Sequence, residues 1–268
     1  MRSARYPLAV GGARGDDLTV TVRTTTETAE ILGRIEPVLI ADPVRNNVFG
    51  TLRTYLRRAG EGGWCAHNRV ALAARSSEHH PIALTERWTD LGALTAAIDA
   101  LVELLGRAPR HRIAERLYRL AKLVAPTGVT GRARLATEAD MDLVSSWVGP
   151  YTMDAFGALP PDFDARALAS AAIVYSRTWL WLDSDDVPVS MAARRPPAAG
   201  VSRIGPVYTP PEHRGRGYGS AVTARAAFDI LDNAAVPVLY TDVENPTSNK
   251  IYRAIGFRPV ADRASVSY

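Results

Sequence analysis

The feature that most constrains the fold lies between residues 210 and 226, in the segment PPEHRGRGYGSAVTARA. Gly215, Gly217 and Gly219 occupy alternate positions, between an apolar run typical of a strand and an amphipathic run typical of a helix. Glycine allows positive φ and a close approach of the backbone to a ligand, at a cost in conformational entropy. The first turn of a helix leaves N–H groups without partners and carries a positive partial charge. A strand, a glycine loop and a helix in this order therefore predict a phosphate-binding loop.

The loop fits some phosphate-binding classes better than others. Arg214 and Arg216 would add charge-assisted hydrogen bonds to phosphate oxygens. A Walker loop requires a lysine, which is absent here, and a dinucleotide fingerprint requires glycine where Ser220 stands. Asp242 follows the next strand-like run, as in dinucleotide sites, but the chain that remains is too short for a doubly wound sheet. The residues alone predict a phosphorylated ligand of unspecified class, and a tight turn with solvated arginines is the alternative.

The same loop resembles the Arg-x-x-Gly-x-Gly signature of the GNAT superfamily of N-acetyltransferases, which RGRGYG at 214–219 matches. The resemblance continues into VLYTDVENPTSNKIYRAIGF (238–257), which looks like that family's fifth strand and the helix after it. The matching positions there are Asn245, Ser248, Tyr252, Gly256 and Phe257. The resemblance implies an α+β fold in three layers, with a mixed, mostly antiparallel sheet flanked by helices. We therefore expect a GNAT acetyltransferase domain at 131–268.

The resemblance also implies a donor and its binding residues. The donor is acetyl-CoA, whose pyrophosphate binds the backbone amides of the glycine loop. Its pantetheine arm lies between the fourth and fifth strands, which splay apart, and pairs with exposed backbone of the fourth strand. A backbone N–H of that strand would also stabilise the oxyanion, an effect of about 3 kcal/mol in other acyl-transfer sites. The implied binding residues are Val207, Tyr208, Thr209, Arg214, Gly215, Arg216, Gly217, Tyr218, Gly219, Ser220, Asn245 and Ser248.

The expected reaction is attack of a neutral primary amine on the thioester, followed by departure of the CoA thiolate. The resemblance implies Tyr252 as the general acid for that thiolate, while a tyrosine of the core is the alternative reading. The amine arrives protonated, so the reaction needs a base. Glu244 is our first candidate, and Asp242, Glu212 and a water held by backbone are the others. We expect Asp242 and Glu244 to share one face of a strand, and Asn245 also fits a simple helix cap.

The N-terminal part is predicted as a degenerate GNAT-like half at 22–130, after a lead-in at 1–21. It contains no glycine loop of its own. Apolar spacing predicts helices and strands there. The helices are 27–40, broken at Pro37, then 42–56 with Asp42 as its cap, 89–106 with Asp90 as its cap, and 111–126; the strands are 69–76 and 81–87. Turn residues at 126–131 mark the predicted boundary.

Composition and charge argue against several kinds of partner and bound group. The net charge is only +4 and the arginines are spread along the chain, which argues against nucleic acid. The five histidines lack metal-ligand spacing, so we expect no metal. Cys65 is the only cysteine, which excludes an intrachain disulfide. No apolar run reaches the roughly 18 residues of a membrane span, and the N-terminus lacks a signal-peptide core. We expect a cytoplasmic protein, as a monomer or homodimer.

Two function classes remain open at this point. The first is an acetyl-CoA-dependent N-acetyltransferase that acts on a primary amine. We expect a small-molecule acceptor, such as a simple amine, an aminoglycoside or an amino acid, and a protein N-terminus is also possible. The second is a non-catalytic sensor that binds acyl-CoA. Transfer from aminoacyl-tRNA, known in tandem relatives of the fold, is disfavoured by the low net charge.

Overall fold

The computed structural model describes ten stretches of the chain. They are residues 2–8, 18–25, 28–47, 70–75, 82–85, 90–94, 102, 108–159, 163–174 and 177–267. The chain forms two compact units, Met1–Arg116 with Ala261–Tyr268, and Leu117–Val260. The predicted boundary at 126–131 therefore lies inside the second unit. That the N-terminal half is GNAT-like stays a prediction.

The described residues form helices and strands throughout both units. The helices are α1 (Thr28–Ala41), α2 (Met141–Phe156), α3 (Ala165–Val174), α4 (Tyr218–Asp232) and α5 (Pro246–Ala254). The strands are β1 (Arg2–Leu8), β2 (Leu18–Thr25), β3 (Val70–Arg75), β4 (Ile82–Thr85), β5 (Asp90–Leu94), β6 (His111–Leu120), β7 (Arg132–Leu135), β8 (Arg177–Leu182), β9 (Pro188–Arg194), β10 (Val201–Tyr208), β11 (Val236–Asp242) and β12 (Phe257–Ser267). No helix in the described ranges has both the length and the hydropathy to cross a bilayer.

The first unit contains an antiparallel sheet in the order β1-β2-β3-β4. Its register pairs Val22 with Ala73 and Leu72 with Ala83. The strands predicted at 69–76 and 81–87 are thus confirmed as β3 and β4. In the same unit β5 pairs antiparallel with the end of β12, where Leu91 faces Val266.

One helix prediction in the first half is wrong over most of its length, and a second is wrong at its start. Residues 111–120 of the segment predicted as a helix at 111–126 form β6, and residues 90–94 of the one predicted at 89–106 form β5. Residue 102 of the second segment is helical, and its residues 95–101 and 103–106 lie outside the described part of the chain. The apolar residues of HRIAERLYRL fit a helical repeat, but Leu117, Tyr118 and Leu120 are buried in a strand. Pairing with strands that are distant in sequence decides these segments, because tertiary contacts override weak local propensity.

The helix predictions near residue 40 have mixed outcomes. Helix α1 continues through Pro37, where a break was expected. After it, Asp42 Oδ1 accepts a hydrogen bond from the N–H of Arg45 at 3.0 Å, as a cap would, but residues 43–46 form turns. Residue 47 is helical, and residues 48–56 of the helix predicted at 42–56 lie outside the described residues.

The second unit is built on a sheet with the strand order β12-β6-β11-β10-β9-β8-β7. The neighbours from β7 to β10 are antiparallel, whereas β10 and β11 run parallel. The expected mixed, mostly antiparallel sheet is confirmed. The hairpin predicted at DSDD is also present, because β8 and β9 pair on either side of it.

Helices cover both faces of this sheet. Successive residues of a strand point to opposite faces, so Trp179 packs with α4 and α5 while its neighbour Leu180 packs with α2 and α3. On β9, Ala192 and Met191 divide between the same two clusters. The predicted three-layer arrangement is therefore confirmed, with one core on each side of the sheet.

Candidate functional site

The centre of the site is an opening between β10 and β11. Their parallel pairing runs from Val201 with Val236 to Ile204 with Leu239, and it ends there. Both strands continue beyond that point, to Tyr208 and Asp242. The expected separation of these two strands is confirmed, and it leaves backbone at 205–208 without a strand partner on the β11 side.

A bulge decides which backbone groups face this opening. One extra residue lies in β10 between Ile204 and Val207, relative to β9. Such an insertion reverses which residues direct their polar groups to which edge. Before the bulge, the carbonyl of Arg203 accepts a hydrogen bond on the β9 side; after it, the carbonyl of Tyr208 accepts one from Ser190 Oγ of β9 at 3.0 Å. The N–H and C=O of Val207 therefore face the opening.

The glycine loop follows β10, and its glycines serve different purposes. Gly217 caps α4 with a φ of 82°, and a Cβ there would lie 2.8 Å from Val129 Cγ2. Gly215 has a φ of 79° but open space around it. Gly219 is helical, and a Cβ on it would come within 3.2 Å of Thr209 Oγ1. Backbone conformation therefore requires the first two, and close packing favours the third.

The loop presents a row of backbone donors. The amide of Arg214 donates to Pro211 O at 3.2 Å, and the amide of Ala221 starts the helix by donating to Gly217 O at 3.0 Å. Within the described part of the chain, the six amides between them, 215–220, have no hydrogen-bond partner. They lie at the positive end of α4, so this segment is suited to bind an anion.

The two arginines of the loop differ in their contacts. Arg214 Nε donates to Thr209 O at 2.9 Å, and its Nη2 lies 2.6 Å from Asp154 Oδ2 at the end of α2. Its guanidinium also lies 5.8 Å from the centre of the Tyr208 ring. Arg216 is exposed and makes no hydrogen bond or ion pair with any described residue. Of these two arginines, Arg216 is therefore the one whose side chain is available to a ligand.

Helix α5 carries the second group of predicted residues. Asn245 caps it, because its Oδ1 accepts a hydrogen bond from the amide of Ser248 at 2.9 Å. Tyr252 is buried and packs edge-on against Phe257, with 6.3 Å between ring centres. Burial raises the pKa of Tyr252, and Tyr151 raises it further, whereas a hydrogen bond with Ser248 lowers it. The phenol is therefore protonated at neutral pH and able to donate.

The candidate bases do not lie as expected. Strand β11 ends at Asp242, and Glu244 follows in a turn, where its amide donates to Asp242 Oδ1 at 2.8 Å. The expectation that these two carboxylates share a strand face is wrong, because the chain turns away from the strand between them. Glu212 lies in the short 3-10 helix Pro211–His213. Glu212 and Glu244 are both exposed, with carboxylates that contact no described donor.

Sequence reasoning missed two residues that hold the site. Ser190, fully buried, hydrogen-bonds Thr209 Oγ1 at 2.8 Å as well as Tyr208 O. Asn249 is buried and bonds Tyr118 and the turn before α5. Nothing local marks Ser190, since its partners are distant in sequence. Asn249 was detectable, because a polar residue three positions before Tyr252 shares its helix face.

A family model described as FR47-like protein matches residues 186–266, which hold the bulge, the glycine loop and α5. Over these residues the chain is therefore similar in sequence to the FR47-like family. No protein with a curated description matches the chain. Among the described residues, no three His, Cys, Asp or Glu side chains converge as a metal site.

Solved structures share the GNAT fold over nearly the whole chain. A GNAT acetyltransferase from Colwellia psychrerythraea is 8% identical with a TM-score of 0.59, over 92% of this chain and 99% of that one. A GCN5-related N-acetyltransferase from Sphaerobacter thermophilus is 13% identical with a TM-score of 0.54, over 92% and 94%. A Drosophila protein is 12% identical with a TM-score of 0.61, over 92% and 98%. At these identities the likeness concerns the fold.

Proposed function

We propose that this protein is an acetyl-CoA-dependent N-acetyltransferase that acetylates a primary amine of a small-molecule acceptor. One observation carries the proposal: a row of six unpaired amides at a helix start adjoins a strand opening at the same end of β10. A diphosphate fits the first feature and an extended amide-bearing chain fits the second. Coenzyme A has both parts in one molecule.

The contacts around the loop support the proposed roles of the binding residues. The diphosphate binds the amides 215–220, and Arg216 adds a charge-assisted bond. The pantetheine arm pairs with the backbone of Val207, and Tyr208 and Thr209 continue the chain from there toward the loop. Arg214 supports this site by holding the end of β10, because its amide and guanidinium already have protein partners. Asn245 and Ser248 contribute by fixing the start of α5.

The chemistry is direct acyl transfer. The amine nitrogen attacks the thioester carbonyl, and the N–H of Val207 stabilises the negative oxygen of the tetrahedral intermediate. The C–S bond then breaks, the electron pair leaves with sulfur, and the protonated phenol of Tyr252 donates to the thiolate. Glu244 takes the proton that the amine loses. We favour Glu244 over Asp242 because Asp242 Oδ1 already accepts a hydrogen bond from the amide of Glu244.

Binding and turnover are tested separately. Calorimetry with acetyl-CoA measures binding in the wild type and in Gly217→Glu, which places a bulky side chain against Val129 and should abolish it. Thiol release with a library of small amines then identifies acceptors. Tyr252→Phe should lower turnover far more than affinity. An absence of acetyl-CoA binding would overturn the proposal, and binding without turnover on any amine would favour the non-catalytic sensor.

The base is tested by a matched pair. Glu244→Gln should lower the rate at neutral pH, whereas Glu212→Gln, an equally exposed carboxylate on the other side of the opening, should not. Rescue of Glu244→Gln at higher pH, where the amine is neutral, would support a role in deprotonation. An unchanged rate in both variants would leave Asp242 or a water as the base, and Asp242→Asn would then decide between them.

A further inference from the structure

A buried hydrogen-bond network closes the corner between β11 and α5. Asn249 Nδ2 donates to the carbonyls of Asp242 at 2.9 Å and Asn245 at 2.7 Å, with Val243 O at 3.3 Å. Asn249 Oδ1 accepts a hydrogen bond from Tyr118 Oη at 2.7 Å. One amide side chain therefore joins the strand end, the turn and the first turn of the helix.

The three carbonyls determine the orientation of that amide, and Tyr118 holds its oxygen end. Its side chain is fully buried, and its hydroxyl is a donor to Asn249 Oδ1. An amide turned end for end would place its oxygen against three carbonyl oxygens, which is repulsive, although the hydroxyl of Tyr118 could accept from the N–H groups. Because Tyr118 lies on β6, the neighbour of β11 away from β10, the corner is anchored on the closed side of the sheet.

The location of the corner relates it to the site. Beyond Leu239, β11 has no pairing with β10, so one edge of the strand is open up to Asp242. The network holds the end of β11 in place beyond the point where pairing with β10 stops. It also fixes the helix that carries Tyr252, which lies three residues after Asn249 on the same buried face.

We propose that Asn249, held by Tyr118, is a positioning residue that sets where the Tyr252 hydroxyl lies relative to the opening. This inference rests on the proposed acyl transfer and deepens it. Asn249 acts through Tyr252 and contacts no substrate. Proton transfer depends steeply on geometry, and a displacement of about 1 Å can cost about a hundredfold in rate. A loosened corner should therefore affect turnover more than donor binding.

The test changes one hydrogen-bonding group of the network at a time. Tyr118→Phe deletes only the hydroxyl, and Asn249→Asp keeps the acceptor but loses both donors. We expect Tyr118→Phe to lower kcat about tenfold while the Kd for acetyl-CoA stays within about twofold, and Asn249→Asp to lower kcat further. Lys250→Ala, an exposed neighbour on the same helix, is the control and should leave kcat unchanged.

A double variant separates positioning from general destabilisation. If the corner acts through Tyr252, Tyr118→Phe should lower kcat in the wild type but have no further effect on Tyr252→Phe. Equal losses in both backgrounds would overturn the inference, as would a change in thermal stability with no change in kcat. If Asn249→Asp does not fold, the Tyr118 cycle alone decides. A wild type that shows no turnover contradicts the proposed function itself, which distinguishes the two failures.

Discussion

Arg214 Nη2 lies 2.6 Å from Asp154 Oδ2, so the arginine that opens the glycine loop is paired with the end of α2. Its Nε is also engaged, by the carbonyl of Thr209. These contacts join the loop to the helix on the opposite face of the sheet from α4. Within the described residues Arg216 has no such contacts, although the two arginines are only two positions apart.

This difference predicts unequal effects on donor binding. Arg216→Gln should weaken acetyl-CoA binding about tenfold, the value of one charge-assisted hydrogen bond, and reduce its salt dependence. Arg214→Gln should change the Kd by about twofold or less, since exposed ion pairs contribute about 0–1 kcal/mol. Calorimetry at two salt concentrations measures both. A larger loss in Arg214→Gln would mean that this arginine leaves Asp154 to bind phosphate.

The glycines predict a graded cost in stability. Gly217→Ala combines left-handed strain with a contact to Val129, and should lower the free energy of unfolding by about 2–4 kcal/mol. Gly215→Ala has the strain without the contact, and should cost about 1 kcal/mol. Urea unfolding measures both. The double variant Gly217→Ala with Val129→Ala should recover part of the loss, and equal costs at the two glycines would contradict the assignment.

The sequence was sufficient for most of the second unit because its signals are local. The hairpin at DSDD, the cap of α5 at Asn245 and the glycines before α4 each follow from a few neighbouring residues. Strand β6 does not, because its apolar spacing fits a helix as well as a strand. Its state depends on β11 and β12, which follow more than a hundred residues later.

In the candidate site too, some features depend on neighbouring residues and others on contacts between distant segments. The amide row was predictable from residues adjacent in sequence, whereas the role of Tyr252 was implied by the family resemblance and stays a proposal. The ion pair of Arg214 with Asp154 was not predictable, because the two residues are 60 positions apart. The hydrogen bond from Ser190 to the carbonyl of Tyr208 was not predictable either. The positions of Asp242 and Glu244 depend on where β11 ends, and strand ends are poorly marked in VLYTDVEN. Contacts between distant segments thus account for what the sequence left undetermined.

The pH dependence of the reaction should reflect the direction of the Tyr252 shift. Burial raises the pKa of this phenol above its ordinary value of about 10, so it stays protonated through the neutral range. The rate should rise with pH as the acceptor amine loses its proton, without an alkaline decline below about pH 10. A pH profile of kcat/KM measures this. A decline between pH 7 and 9 in the wild type that is absent in Tyr252→Phe would contradict it.

Stability at acid pH should depend on Asp140, which directly precedes α2. Arg134 donates two hydrogen bonds to its carboxylate, at 2.6 and 2.7 Å, and Thr137 adds its amide at 2.8 Å. The bond from Arg134 is the main cause that lowers the pKa of Asp140 to about 2. Because the pKa is lower in the folded state, the stabilisation is present above the unfolded value of about 3.9 and is lost as the pH falls to about 2.

The change that tests this is Asp140→Asn. It should lower the free energy of unfolding by about 2 kcal/mol at pH 7 and much less near pH 2, because the wild-type carboxylate is then largely protonated. Urea unfolding across this pH range measures the difference. Asp142→Asn is the matched control, since Asp142 pairs with Arg166 in solvent, where both side chains are mostly exposed. An equal loss for Asp140→Asn at both ends of the range would mean that packing, and not the charge on Asp140, supports the start of α2.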